Sequence, residues 1–576
     1  MASLSTPTIE PSQPYPYAVL DKHARESPSH PALYYVSTNR KAIQKISYAE
    51  LSERTERAAI VFGEQLKVGK GERVLVQLPR GVAWFEVVLG LLRIGGIPIP
   101  CTTLLSSKEL EYRAQAAKCT TFVGSASAVT KFLQVKESCP LVRNVVFVAG
   151  DPDLEPRDTI PQDSLRKLII WEHAMANIPQ HKKWGGARPE MSDTSIIYFT
   201  SGTTGKPKRV IHNHHHPFAH RITGEWYNLG DNALIWNIGD LGWAKAGYST
   251  FGSLYFKATI FIFSPPAPSA FSAELTLSLL HEHPITNICF PPTVYRSLTT
   301  TAAVEQLRRC PPKALRWCNG AGEPLNPEVI KIWEQHTGLI VREAFGQTET
   351  TALVGNFPKV NVRMGSMGIA AAGLDVQVLD TAGKVLGRGP QNVGFICVEV
   401  ARSNVKEIGV ITLGYEGENG ELMNTYIESG DGKQWYSTGD KAWRDEDGYF
   451  WFIGRDDDII SSAGYRIGPF DVESTLKEHP AVVESAAVAS PDRERGSIVK
   501  AFIILSQEFK AKLISGEITE SGLKQQLTEF SRPLLTYKYP REIEFVDSLP
   551  LTVSGKIRRV ELRKLEEMRK GTKGKL

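Results

Sequence analysis

Tyr198-Phe-Thr-Ser-Gly-Thr-Thr-Gly-Lys-Pro-Lys208 is the stretch whose reading decides the fold. Its apolar start, Ile196-Ile197-Tyr198-Phe199, reads as a buried strand and gives way abruptly to hydroxyls, glycines and lysines. Glycine lets a backbone bend close to an anion and aim its N–H groups at it. Thr200, Ser201, Thr203 and Thr204 add donors around Gly202 and Gly205, and Lys206 and Lys208 add positive charge. The stretch therefore reads as a polyphosphate clamp. It is not a Walker A loop, which has four residues between its glycines. Here only Thr203 and Thr204 stand between them, and Pro207 limits a continuing helix. A plain surface turn after a strand has the same composition, so the rest of the chain must decide.

The chain has 576 residues, enough for a large domain and a smaller one. Hydrophobic content of 42% and charged content of 23% are those of an ordinary globular protein. A net charge of +4 excludes a general electrostatic field for nucleic acid. The 7 cysteines form no C-x-x-C pair, which points to free thiols in a reducing compartment. No apolar run approaches a membrane span, and the N-terminus has neither a signal-peptide core nor a presequence character. The expectation is a cytoplasmic protein. The final Gly574-Lys575-Leu576 is a poor relative of the peroxisomal Ser-Lys-Leu tail.

Working outward, residues 1–45 are Pro-rich and read as a surface arm. Helical spacing over Tyr48–Gln65 and a strand at Val74–Leu78 precede a mostly apolar helix over Val82–Leu92. Strands follow at Ile97–Pro100, Thr121–Val123 and Asn144–Val148, with a helix near Ser107–Lys118. Such alternation predicts parallel sheets with helices on both faces. Residues 150–190 read as connecting loops. Further buried strands are expected at Ala233–Trp236, Thr259–Phe263 and Asn287–Phe290. From 360 to 455 short strands between Gly/Asp turns suggest a β-rich subdomain. A composition break at Arg455 separates an N-terminal domain, 1–455, from a C-terminal domain, 456–576. The fold class is α/β: a large N-terminal domain of stacked α/β sheets with a β-rich subdomain, and a small mobile C-terminal α+β domain.

Gly322-Glu323-Pro324-Leu325 is a strand-to-helix turn that can hold a flat base against its backbone. Glu343-Ala-Phe345-Gly346-Gln347-Thr348-Glu349-Thr350-Thr351 packs an amide, hydroxyls and carboxylates into one turn, and Glu349 is the candidate for Mg²⁺, an oxygen-seeking ion. Tyr436-Ser-Thr-Gly-Asp440 ends a short strand on an acid able to accept both hydroxyls of a ribose. Arg455 can reach ribose or phosphate, and Arg466 offers a forked donor to phosphate oxygens. Lys556, after a glycine turn in Thr552-Val-Ser-Gly-Lys-Ile557, would by itself be a surface lysine.

Taken in order, these motifs resemble those of the adenylate-forming enzymes: acyl-CoA synthetases, peptide-synthetase adenylation domains and luciferases. The subgroup most similar is the medium-chain acyl-CoA synthetases, through Asp240-Leu-Gly-Trp-Ala-Lys245, Ser462-Ala-Gly-Tyr-Arg-Ile-Gly-Pro-Phe470, His479-Pro-Ala-Val-Val-Glu-Ser485 and Tyr537-Lys-Tyr-Pro-Arg541. The resemblance implies a carboxylic acid–CoA ligase that uses ATP, Mg²⁺ and coenzyme A. Lys556 would bridge the acid and the α-phosphate, with Thr200, Arg466 and the 200–208 loop on the phosphates and Glu349 on Mg²⁺. Asp440 and Arg455 would hold the ribose, and Gly322–Leu325 the adenine. The C-terminal domain would turn about Asp457 to bring in Ala463, Gly464 and Tyr465 beside the pantetheine arm, with Arg495 on a CoA phosphate.

Acetyl-specific relatives place a tryptophan where this chain has Gly346. An open pocket for a medium-chain, branched or aromatic acid is therefore expected, with Trp243, Phe345 and Thr350 as walls. A glycine serving backbone geometry alone is the competing reading. The chain departs from the family at Arg209, an extra charge after the phosphate loop, and at Leu104, where medium-chain relatives carry a Gln. The cluster His212-Asn-His-His-His216 with His220 lacks a second ligand set of zinc-like spacing. Three other readings share the fold: an enzyme loading a separate carrier protein, a non-catalytic nucleotide or acyl sensor, and an oxygenase.

Overall fold

A computed structural model describes residue 9 and residues 11–151, 167–200, 207–265, 271–401, 408–462, 465–492, 495–552 and 556–572. The chain forms two compact units: Met1–Asp375 with Glu399–Thr425, and Val376–Val398 with Tyr426–Leu576. The composition break at Arg455 lies inside the second unit, which also takes in much of the β-rich stretch.

The first unit holds a five-stranded parallel sheet in the order Ile97–Pro100, Arg73–Gln77, Thr121–Gly124, Asn144–Phe147, Ile169–Ile170. Val74, Leu75 and Val76 are fully buried, as in a strand covered on both faces. The crossover helix Val82–Ile94 stops at Gly95, whose φ of 73° is left-handed and suits glycine. A nine-stranded sheet runs Ile369–Ala370, Ala352–Gly355, Val341–Gly346, Trp317–Gly320, Asn287–Phe290, Leu234–Asn237, Thr259–Phe263, Pro31–Val36, Ile43–Ser47. It is parallel from Val341–Gly346 to Pro31–Val36 and antiparallel at both edges. A four-stranded antiparallel sheet joins Leu422–Met423, Gly414–Glu416, Lys208–Asn213 and Thr194–Thr200.

In the second unit, Val376–Leu379, Gly394–Glu399, Gln434–Arg444 and Tyr426–Glu428 form a sheet to which Phe450–Arg455 adds. The strands Val482–Asp492, Gly496–Leu505 and Glu542–Phe545 form a second sheet. Val472 and Leu476 from the helix Pro469–Lys477, and Leu523 and Leu527 from Glu520–Leu535, share a buried cluster with Ile503.

Three expectations need correction. The N-terminal segment is no surface arm: Tyr15, Val19 and Leu20 are fully buried and Pro31–Val36 is a strand of the large sheet. Pro16 opens the short helix Pro16–Leu20 and Pro31 opens the strand, and the aromatic and aliphatic residues around them supply core. Residues 150–190 are not all loop. Ile169–Ile170 is the fifth strand and Trp171–Ala176 a helix, both too short to give a periodic signal. Asp440 does not end a strand; it lies within Gln434–Arg444, whose Gly439 takes a φ of 72°.

Candidate functional site

The strands Thr194–Thr200 and Lys208–Asn213 pair antiparallel, with Thr200 opposite Lys208. They carry the ends of the phosphate-type loop. Ser201, Gly202, Thr203, Thr204, Gly205 and Lys206 lie outside the described residues. Lys208 sits with its ammonium 4.9 Å from the Tyr415 ring centroid. Arg209 is not a spare charge. Its Nε donates to Glu416 at 2.7 Å, and Arg73 donates to the same carboxylate at 2.9 and 2.5 Å. Burial opposes ionisation of Glu416, but the two guanidinium partners win and hold its carboxyl below the usual range.

The strand Val341–Gly346 delivers the next motif into a tight turn before Ala352–Gly355. The turn is held from several sides. The Gln347 N–H donates to Thr350 Oγ1 at 3.0 Å. The Thr412 N–H donates to the Glu349 carbonyl at 2.7 Å, and the Thr351 N–H to Val410 at 2.9 Å. Tyr248, on the helix Lys245–Tyr255, reaches the carbonyls of Gln347 and Thr350, both at 3.1 Å. Glu349 itself is buried, and its Oε1 accepts from the Tyr415 hydroxyl at 2.7 Å. Among the described residues nothing bonds its second oxygen. One anchored carboxylate with a free oxygen suits Mg²⁺, which takes few protein ligands and fills its shell with phosphate oxygens and water. Thr350, expected as a pocket wall, is fully buried and spends its hydroxyl inside the turn, so it shapes the turn instead. Trp243 and Phe345 are half-buried.

Gly346 is explained by packing. A Cβ there would stand 2.4 Å from the Thr351 carbonyl oxygen and 2.5 Å from the Tyr248 hydroxyl. The glycine permits a close approach of backbone to Tyr248, and an open pocket is not needed to account for it.

Three histidines form a buried column under the turn. His212 Nε2 donates to the Thr348 carbonyl at 2.9 Å, and its ring stacks on His216 at 3.6 Å. His216 Nδ1 donates to Gly409 at 2.9 Å, so its Nε2 must accept from His220 Nε2 at 3.3 Å. Each ring then carries one proton. Burial pushes His216 down to about 4, and His212 and His220 well below their ordinary value, so the column is neutral. Among the described residues no group of three His, Cys, Asp or Glu side chains could hold a metal ion. All 7 cysteines are free thiols.

Gly322 follows the strand Trp317–Gly320 with a φ of 111°, a conformation suited to glycine, and is exposed. Glu323 and Pro324 are half-buried. The Leu325 N–H donates to the buried Glu343 carboxyl at 2.7 Å. Thr102 donates to Asp240 at 2.9 Å, while Leu104 is 53% exposed.

Within the second unit, Asp440 and Arg455 face each other across paired strands. Arg455 lies 3.3 Å from Asp457, Lys441 pairs with Asp456, and Asp458 accepts from Arg563 at 2.6 Å. Tyr465 and Arg466 fall on the strand Tyr465–Ile467, opposite Ser462 and Ser461. Ala463 and Gly464 lie outside the described residues. The Arg495 N–H donates to Asp492 Oδ1 at 2.9 Å. Lys556 is exposed in a loop closed by the Leu551–Ile557 bridge.

Sequence reasoning missed Tyr415, Glu416 and Tyr248. The run Gly414-Tyr-Glu416 is short and polar, and only the pairing of Gly414–Glu416 with Lys208–Asn213 brings it to the site.

Residues 20–404 match the family model described as AMP-binding enzyme, and residues 471–556 that of the AMP-binding enzyme C-terminal domain. The chain belongs to the AMP-binding enzyme family. Within it, the acyl-CoA synthetases are close kin. Acyl-coenzyme A synthetase ACSM3, mitochondrial, of Mus musculus is 35% identical over 549 residues, 93% of this chain and 87% of that protein. ACSM5, mitochondrial, of Homo sapiens is 35% identical over 547 residues, 95% of this chain and 88% of the relative. Among solved structures, a Brucella canis acyl-CoA synthetase is 30% identical with a TM-score of 0.69, covering 98% of this chain and 96% of its own. A benzoate CoA ligase from Burkholderia xenovorans LB400, 23% identical with a TM-score of 0.73 over 96% of this chain and 99% of its own, shares the fold. This AMP-binding enzyme has no helix among its described residues long and apolar enough to cross a membrane.

Proposed function

We propose that this enzyme activates a carboxylic acid longer than acetate as its acyl-adenylate and passes the acyl group to CoA. The observation that supports this reading most is Glu349, a buried carboxylate fixed at one oxygen and set on a turn braced by backbone and side chain. In the first half-reaction a carboxylate oxygen attacks the α-phosphorus of ATP, and the bond to pyrophosphate breaks. Thr200, Lys208 and Arg466, with the loop between Thr200 and Lys208, hold the phosphates. Lys556 neutralises the two anions that must meet, an electrostatic contribution of the kind that dominates such reactions. Mg²⁺ on Glu349 supplies charge neutralisation at the phosphate oxygens when bound. Asp440 and Arg455 hold the ribose, and Gly322–Leu325 the base.

In the second half-reaction the CoA sulfur attacks the acyl carbon, AMP leaves, and the thiol proton passes to solvent. Residues 456–576 act as a lid turning about Asp457. The turn withdraws Lys556 and brings up Ala463-Gly464-Tyr465, with Arg495 on a CoA phosphate. The acceptor is free CoA, with no carrier protein required, and the enzyme works in the cytoplasm. The curated relatives are named mitochondrial, and a fluorescent fusion distinguishes the two locations.

The test of the reaction is pyrophosphate release across a panel of carboxylic acids, with and without CoA. Thioester formed from medium-chain or aromatic acids supports the proposal. Use of acetate alone, or transfer only to a carrier protein, would refute it.

A further inference from the structure

The strand Gly414–Glu416 has only 3 residues, yet Tyr415 on it meets two of the charges proposed for adenylation. Its hydroxyl donates to Glu349 at 2.7 Å, and its ring lies 4.9 Å from the Lys208 ammonium. Three paired residues are a weak hold for a strand with this task. The neighbour on one side, Leu422–Met423, is a two-residue edge strand with both side chains exposed.

The hold comes from the other face. Successive residues of a strand point to opposite sides, so Glu416 points away from Tyr415. It stands directly opposite Arg209 in the register. Arg209 Nε donates to the Glu416 carboxylate and its Nη2 to the Gly417 carbonyl, both at 2.7 Å. Arg73, on the strand Arg73–Gln77 of the five-stranded sheet, donates to both oxygens of the same carboxylate. The side chains of Arg209, Glu416 and Arg73 are 9%, 12% and 22% exposed, so water and salt screen these bonds little. Arg209 thus ties the strand that carries Tyr415 to the strand that carries Lys208, and Arg73 ties both to a second sheet.

We propose that Arg209, acting through Glu416, is a positioning residue for adenylation: it fixes the strand from which Tyr415 holds Glu349. The proposal rests on the ligase reading and gives a purpose to the charge by which this chain departs from its family. A displaced Tyr415 hydroxyl frees the Glu349 carboxylate to turn, and a ligand that has lost its orienting partner binds its ion less well.

The experiment is a double-mutant cycle on the full-length enzyme: Arg209→Met, Tyr415→Phe and the two together. Pyrophosphate release is followed as Mg²⁺ is titrated at fixed ATP, with thermal midpoints showing that each variant folds. Arg209→Met leaves Glu416 paired with Arg73 and should raise the Mg²⁺ concentration for half-maximal adenylation roughly threefold. In the Tyr415→Phe background the same substitution should add little, because the contact through which it acts is already gone. Glu416→Gln, which keeps the shape and removes the charge, should reproduce the shift. A folded variant of either kind with the wild-type titration overturns the proposal while pyrophosphate still forms. So does an Arg209→Met shift that adds in full to that of Tyr415→Phe, as a merely structural role predicts. No pyrophosphate from any acid in the wild-type enzyme overturns the ligase reading, and this proposal with it.

Discussion

Glu349 and Lys556, two of the charges proposed for adenylation, are held in opposite ways. Glu349 is buried, its carboxylate anchored by Tyr415 and its backbone by Thr412. Its turn rests on a column of neutral histidines. Lys556 is exposed, and among the described residues it is tied through its backbone alone, to Thr552, by bonds of 2.7 and 3.0 Å. A carboxylate that meets a metal must keep one geometry, because reorganisation at that point is lost binding energy. A lysine needed in only one half-reaction is better carried on a surface loop, with its charge in water until required.

The sharpest way to break this contrast is to remove the lysine. Lys556→Ala is expected to lower adenylate formation by roughly a hundred- to a thousand-fold. Thioester formation from supplied acyl-adenylate should change little. Equal loss of both half-reactions, measured separately by pyrophosphate release and by CoA consumption, would contradict the division of labour. Tyr415→Phe probes the anchored side with a smaller effect. Freed at Oε1, Glu349 should bind its ion less well, raising the Mg²⁺ concentration for half-maximal adenylation roughly tenfold. Mn²⁺ binding in the presence of ATP, followed by electron paramagnetic resonance, should weaken in parallel. An unchanged metal titration would make Tyr415 a packing residue only.

The smallest effect concerns pH. Burial pushes the Glu343 carboxyl up to about 8, with the Leu325 N–H opposing the rise. The folded chain therefore keeps a proton that the unfolded chain releases near 4.5. Stability from this group falls as pH rises from 4.5 to about 8, and the penalty is complete above that. Glu343→Gln keeps an oxygen for Leu325 and carries no charge. Its thermal midpoint should exceed that of the wild-type protein above pH 8 and show no gain below 4.5. A gain independent of pH would assign the effect to packing.

Much of the parallel architecture was legible because several buried strands are compact β-branched or aromatic runs. Thr259–Phe263 and Asn287–Phe290 have the limits expected from sequence. The N-terminal segment escaped because its burial comes from distant partners such as Phe251, and Ile169–Ile170 because two residues show no period. The role of Arg209 was likewise illegible, and Gly346 was left between an open pocket and backbone geometry. A charge and a missing side chain each acquire meaning only from what stands opposite, here Glu416 and Tyr248.

By itself, the order of residues determined the kind of chemistry, because several motifs of glycines, hydroxyls and charges follow one another along the chain in one order and together limit what it can bind. Only the tertiary structure decided which groups are braced and which are free. Tyr415 reaches Glu349, and Lys245 reaches Ala321, across separations of 66 and 76 residues. The physical reason is that hydrogen bonds made by side chains depend on distance through space, and no local pattern in the chain encodes it.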